Sequence, residues 1–130
     1  MKTFSIFILF FLISTTASFA QISQESGDKA IKHYLIGLNY SNPGVVESAI
    51  ENVMILNLNY PEGDYSKIVQ KLEEMTQNSK QKNIRVKAFI AAGYLKYPVL
   101  YNGIKQNHNT ENIKELLQSV DSRLHLSVAK

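Results

Sequence analysis

Few side chains in this sequence have the types and spacing that chemistry needs, and the best-placed pair is Asp121 and His125. The two residues are four positions apart, so an α-helix would place them on one face, within reach of a hydrogen bond. A carboxylate that orients an imidazole makes a base, and the same pair could form two corners of a metal site. The alternative is an exposed pair near a helix C-terminus, where the helix dipole favours a protonated histidine. We favour this alternative because no spacing supplies a third or fourth metal ligand.

The other two histidines, His33 and His108, are in positions typical of structural residues. His33 lies beside the apolar stripe of a predicted helix, and His108 lies in an asparagine-rich segment typical of a solvated turn. The sequence has no cysteine, no glycine-rich phosphate loop, no H-E-x-x-H motif and no G-x-S-x-G motif. We therefore expect no catalytic residue, no metal site and no cofactor, and a protein that is not an enzyme.

The first 20 residues have the pattern of a secretory signal peptide. Lys2 precedes an apolar stretch from Phe4 to Ile13, and Ser18 and Ala20 are the small residues that a cleavage site needs. A membrane-spanning helix needs about 20 apolar residues, and this stretch is shorter. We expect cleavage after Ala20, export to the periplasm or the extracellular space, no stable membrane span after cleavage, and one domain over residues 21–130.

Charge and cysteine content narrow the class of protein further. The 14 basic and 11 acidic residues alternate along the chain without a basic block, whereas a nucleic-acid surface concentrates lysine and arginine. Since disulfides are excluded, the exported domain must be stabilised by its own apolar core. We expect no nucleic-acid partner.

Apolar residues at helical spacing predict an all-α fold with five helices. Three stripes that begin at Ile31, Ile68 and Ile113 repeat the i, i+4, i+7 step of a buried helix face. Asn42, Asp64 and Thr110 are the predicted N-caps of the second, third and fifth helices. The predicted helices end near residues 38, 58, 76, 97 and 126, and the fourth begins near residue 83. Residues 99–109 fit a short helical turn or a packed loop.

The fourth predicted helix is apolar nearly all round. Ile84 and Ala88 belong to its main stripe, and Phe89, Ile90 and Tyr94 lie outside that stripe. A helix with this pattern is usually buried on most sides. We therefore expect the fourth helix at the centre of the molecule.

The even-numbered helices carry a second repeat. Val45–Ile50 aligns with Ile84–Phe89, and each helix ends near a Tyr-Pro pair. The segment Ile84–Ala88 resembles the second helix of a HEAT repeat, which opens with a branched apolar residue, then Arg, two variable residues and Ala. The first copy has Val46 in place of the Arg, and Tyr40 and Ser79 stand where the family has an Asp.

The resemblance spans about Ala30 to Leu124. It implies a right-handed α-α superhelix of about two and a half hairpins and a role in protein binding, and it supplies no catalytic residue. A compact five-helix bundle is the alternative fold, because its helices would show the same stripes.

We expect a non-enzymatic protein-binding or scaffold module. The partner would be another protein, or a second copy that docks at the open end of the repeat. The alternative function is a small ligand-binding or metal-binding bundle that uses Asp121 and His125. The expected partner surface is the exposed edge of the second and fourth helices, at Glu47, Glu51, Lys87, Tyr94 and Tyr97.

Overall fold

The computed structural model describes residues 22–105 and 109–128, and every regular element in these ranges is helical. The prediction of an all-α fold is confirmed. The α-helices are α1 (Gln24–Leu38), α2 (Pro43–Asn59), α3 (Ser66–Asn78), α4 (Lys82–Lys96), α5 (Asn102–Lys105) and α6 (Thr110–Val128), with a 3-10 turn at Pro98–Tyr101.

The helix count differs from the prediction of five. After Pro98 the chain forms the 3-10 turn and then the single turn of α5, so the predicted fifth helix is α6. The predicted signal peptide with its cleavage after Ala20, and His108, lie outside the described residues. None of the helices in the described part of the chain is both long and apolar enough to cross a membrane.

A local capping signal explains where α2 begins. The Asn42 side chain accepts hydrogen bonds from the backbone N–H groups of Gly44 and Val45, which confirms the predicted N-cap of α2. Pro43 occupies the first helical position, where a missing N–H costs nothing. The bounds of α1 also agree with the prediction.

Two predicted caps are displaced by one residue. α3 begins at Ser66, and Asp64 accepts the Ser66 N–H at 3.0 Å from one position before the N-cap. Tyr65 occupies the N-cap position because its side chain is buried and its hydroxyl donates to the Tyr60 carbonyl at 2.7 Å. At α6, Asn109 rather than Thr110 is the capping residue, since its side chain accepts the Glu111 N–H at 2.9 Å.

The helices form two hairpins and a covering helix. α1 packs against α2, α3 packs against α4, and the hairpins meet through α1 with α3 and α2 with α4. α6 packs against both α2 and α4. These two helices therefore share the central position that the prediction gave to the fourth helix alone. The fully buried core side chains include Ile50, Val53, Met54, Ile68, Leu72 and Ile113.

A close approach ties α1 to the turn after α2. The Tyr60 hydroxyl donates to Asp28 at 3.1 Å, and its ring lies against Gly27. A Cβ atom at Gly27 would lie 2.4 Å from the Tyr60 ring. Glycine is therefore required at this position although it sits in the first turns of a helix.

Candidate functional site

Lys87 joins three helices through two ion pairs. Its Nζ atom lies 2.6 Å from Glu47 Oε2 on α2 and 2.8 Å from Asp121 Oδ2 on α6. The Asn83 side-chain amide donates to the other Glu47 oxygen at 3.1 Å. Only 6% of Lys87 is exposed. The cluster therefore holds α2, α4 and α6 together.

The protonation state of Lys87 follows from two opposing effects. Burial lowers its pKa, but the hydrogen bonds to Asp121 and Glu47 outweigh burial and raise the pKa above the ordinary value. Lys87 thus remains an ammonium at neutral pH. A permanently charged lysine held by two carboxylates positions helices and does not act as a base.

The structure gives the carboxylate of the predicted Asp121–His125 pair a partner on α4. The Asp121 carboxylate accepts from Lys87, and His125 is exposed on α6. His33 is exposed on α1, where its ring meets the Tyr34 ring edge-on at 5.8 Å. Among residues 22–105 and 109–128, no group of three or more potential metal-ligating side chains is assembled.

Tyr94 is a core residue with an unusual neighbour. It is fully buried, and the Lys105 ammonium from α5 lies 4.2 Å from its ring centroid. Lys105 also donates to the buried Asn57 side chain at 3.1 Å, and burial lowers its pKa. The Tyr101 ring packs edge-on against Tyr94 at 5.6 Å between centroids.

The Tyr94 hydroxyl is buried and has no hydrogen-bond partner within the described part of the chain. Burial raises the pKa of Tyr94 to about 12. The hydroxyl therefore stays neutral over the physiological pH range.

The predicted partner surface is largely covered. Lys87 and Tyr94 are buried and Glu47 and Glu51 are half-buried, while Tyr97 remains 53% exposed. The reason is long-range packing. α6 brings Asp121 onto Lys87 and Glu47, and α5 brings Lys105 onto the Tyr94 ring. Of the five predicted residues, Tyr97 alone is mostly exposed.

A groove of about 800 Å³ runs between α3, α4 and the 3-10 turn, and we call it the apolar groove. Phe89 is 66% exposed and Leu100 is 77% exposed. Large exposed apolar side chains that share one cleft are typical of binding surfaces. Its apolar lining consists of Phe89, Ala92, Gly93, Tyr97, Leu100 and Tyr101.

Charged residues also line the apolar groove. Glu73 on α3 and Lys96 on α4 both line it, and their side chains form an ion pair at 2.6 Å. The Lys96 ammonium lies 5.5 Å from the Tyr97 ring centroid. Hydrogen bonding to Glu73 raises the pKa of Lys96. The groove therefore carries one charge of each sign beside an apolar lining.

Two smaller clefts lie elsewhere on the molecule. One, of about 360 Å³, lies between the loops that precede α2 and α4 and has a mixed polar lining that includes Asn39, Ser41 and Gln81. The other, of about 420 Å³, lies between α1 and α2 and includes His33 and Val45. Each of these clefts contains one large exposed apolar residue, Tyr40 in the first and Val45 in the second, whereas the apolar groove contains three.

The apolar groove does not follow from the sequence pattern. The fourth helix is apolar nearly all round, so the pattern predicts burial on most sides and does not single out Phe89 as the exposed position. One signal in the sequence could have indicated an exposed apolar surface. The fourth helix has more apolar residues than a single buried stripe needs, and two more, Val99 and Leu100, follow soon after its end. Such an excess fits a partner-binding face as well as a central helix.

Comparisons with protein-family models, with curated proteins and with solved structures find no match for this chain.

Proposed function

We propose that this chain is an exported, non-enzymatic protein-binding module, and that the apolar groove is its binding surface. The observation that carries the proposal is the shared exposure of Phe89, Tyr97 and Leu100 along one cleft. Aromatic side chains are frequent energetic anchors of protein interfaces. Covering such surface is favourable by about 25 cal/mol for each Å² of apolar area.

The pattern of helix contacts supports a HEAT-like stack as the scaffold. The α1–α2 and α3–α4 hairpins lie side by side, with first helix against first and second against second. This is the contact pattern that stacked helical hairpins require. We infer a short right-handed α-α superhelix of two hairpins, with α6 covering the second helices instead of adding a third hairpin.

The sequence of the first 20 residues supports export. The positive start at Lys2, the apolar stretch Phe4–Ile13 and the small residues before Gln21 are the features that signal peptidase substrates share. Mass spectrometry of the protein recovered from the cell envelope or the medium tests this point. A mature N-terminus at Gln21 supports export, and an intact Met1 or Lys2 contradicts it.

Site-specific photocrosslinking tests the binding surface. A photoreactive phenylalanine analogue is placed at position 89, and a control chain carries it at position 36, where Ile36 is comparably exposed on α1. In cells that express the full chain, we expect discrete protein adducts from position 89 and few from position 36. No adduct at position 89, or the same adducts from both positions, would overturn the proposed function.

A further inference from the structure

We propose that the apolar groove is filled by the apolar groove of a second copy of this chain, related by a two-fold axis. The inference rests on the proposed function, because it takes the groove as the binding surface and names its occupant. Two independent properties of the groove carry it, its shape and its charges.

The shape of the apolar groove is self-complementary. An interface with two-fold symmetry uses the same patch on both copies, so the patch must contain both a projection and a recess. Phe89 is the projection, with two thirds of its surface exposed. Ala92 and Gly93 follow on the same helix face, at i+3 and i+4, and both line the cleft. A large residue is thus placed one turn from small ones.

The Tyr101 side chain covers Gly93 and forms the bottom of this recess. The Tyr101 hydroxyl would lie 2.9 Å from a Cβ atom at position 93, so the tyrosine side chain packs where a larger residue would stand. The groove surface at this point is formed by Ala92, Gly93 and the Tyr101 ring. An incoming phenylalanine ring would contact apolar and aromatic atoms there.

The charges of the apolar groove are also self-complementary. Glu73 and Lys96 lie side by side at 2.6 Å. A two-fold axis that passes between them places Glu73 of one copy opposite Lys96 of the other, twice in each dimer. A partner of uniformly acidic or basic character would instead bring a like charge against one of the two residues. The pair therefore favours a second copy over a strongly charged partner.

Sedimentation velocity tests the inference. The sample is the protein as purified from cells, with the N-terminus that it carries there. We expect a concentration-dependent dimer, and we expect Phe89→Glu to weaken dimerisation by about tenfold or more, the range of an interface anchor. Ile36→Glu is the matched control, because Ile36 is comparably exposed but lies on α1, away from the groove. It should leave the dimer intact.

Charge reversal provides a test of the two-fold arrangement. Glu73→Lys alone and Lys96→Glu alone each place like charges opposite each other across the axis, so each should weaken the dimer. An equimolar mixture of the two variants restores both opposite-charge contacts and should restore dimerisation. Circular dichroism checks that the variants remain folded. We expect them to be folded because the substituted side chains are exposed.

Three results would overturn the inference: a wild-type chain that is monomeric at every concentration, a dimer that survives Phe89→Glu, and a mixture that fails to recover. Photocrosslinking from position 89 separates this failure from failure of the proposed function. If the wild-type chain is a monomer and position 89 captures a different protein, the groove still binds proteins and only the second copy is excluded. If position 89 captures nothing, both proposals fail.

Discussion

The Lys87 ammonium lies 2.6 Å from the Glu47 carboxylate, across the packing interface between α4 and α2. The same ammonium contacts Asp121 on α6, so one buried cation links three helices. A buried ion pair contributes little net stability compared with an apolar pair of the same volume. Removal of one member is nevertheless costly, because the remaining charges lose their partner in a partly buried place.

We therefore expect Lys87→Met to destabilise the fold. The substitution keeps most of the side-chain volume but leaves Glu47 and Asp121 close together without a cation between them. We expect a loss of about 2 kcal/mol in the free energy of unfolding at neutral pH, measured by urea denaturation. Lys29→Met is the control, since Lys29 forms an exposed pair with Glu25, and such pairs contribute little. Equal stability of the two variants would contradict the claim that Lys87 stabilises the fold by pairing with Glu47 and Asp121.

Two buried tyrosines differ in whether the hydroxyl group forms a hydrogen bond, so their phenylalanine variants should differ in stability at neutral pH. The Tyr65 hydroxyl donates to the Tyr60 carbonyl at 2.7 Å, whereas the Tyr94 hydroxyl has no partner among the described residues. We expect Tyr65→Phe to cost about 1 kcal/mol. Tyr94→Phe should leave stability unchanged or increase it, because it removes a buried polar atom without breaking a bond. Thermal unfolding of both variants checks this, and a larger loss for Tyr94→Phe contradicts it.

Stability should fall at alkaline pH. The pKa of Tyr94 is raised by burial from 10.0 to about 12, and the pKa values of Tyr65 and Lys87 are also raised. Above about pH 10 the unfolded chain releases these protons while the folded chain retains them. The stability that these three groups contribute is therefore fully present below that pH and is lost as the pH rises through their folded-state pKa values. Urea midpoints measured from about pH 8 to pH 11 should decrease accordingly.

A phenylalanine variant tests the contribution of one tyrosine to this pH dependence. Tyr94→Phe should make the decrease shallower, because one group no longer titrates differently in the two states. Tyr40→Phe should leave the slope unchanged, since Tyr40 is exposed. A wild-type stability that does not change over this pH range would contradict the burial of these groups.

Helix positions were predictable where the signals are local. Asn42 and Pro43 mark the start of α2 through their own backbone preferences. The stripes that begin at Ile31 and Ile68 are also local, because they depend only on helical spacing. Such signals require no knowledge of which other elements lie nearby.

The candidate site was not predictable because it depends on contacts between distant segments. Lys87 reads as exposed in the sequence, and it is buried because Glu47 and Asp121 approach from positions 40 and 34 residues away. Ile84 and Phe89 are both apolar residues of α4, yet one is buried and the other exposed. Which side of α4 is covered is decided by its packing against α2, α3 and α6.

Gly27 should not tolerate a side chain. In most helices a change from glycine to alanine stabilises by about 0.5–1 kcal/mol. At Gly27 the new Cβ would lie 2.4 Å from the Tyr60 ring, which is held by Asp28. We expect Gly27→Ala to destabilise by about 1–3 kcal/mol. Gly103→Ala is the control, because a Cβ atom at this position on α5 would have no neighbour within 4 Å. Urea denaturation measures both, and a stabilising Gly27→Ala would contradict the close approach.

α6 packs on α2 and α4, the second helices of the two hairpins. Ile113 is fully buried on α6, and Leu126 near the end of the same helix is exposed. If α6 belongs to the same cooperative unit as the two hairpins, Ile113→Ala should cost about 2–4 kcal/mol, as for other large buried aliphatic residues. The whole chain should then still unfold in one transition, which circular dichroism and intrinsic tyrosine fluorescence should report at the same midpoint.

Leu126→Ala is the control and should change stability by less than about 0.5 kcal/mol. If Ile113→Ala costs no more than Leu126→Ala, or if the two probes separate, α6 folds apart from the hairpins and the Lys87–Asp121 contact does not stabilise the molecule.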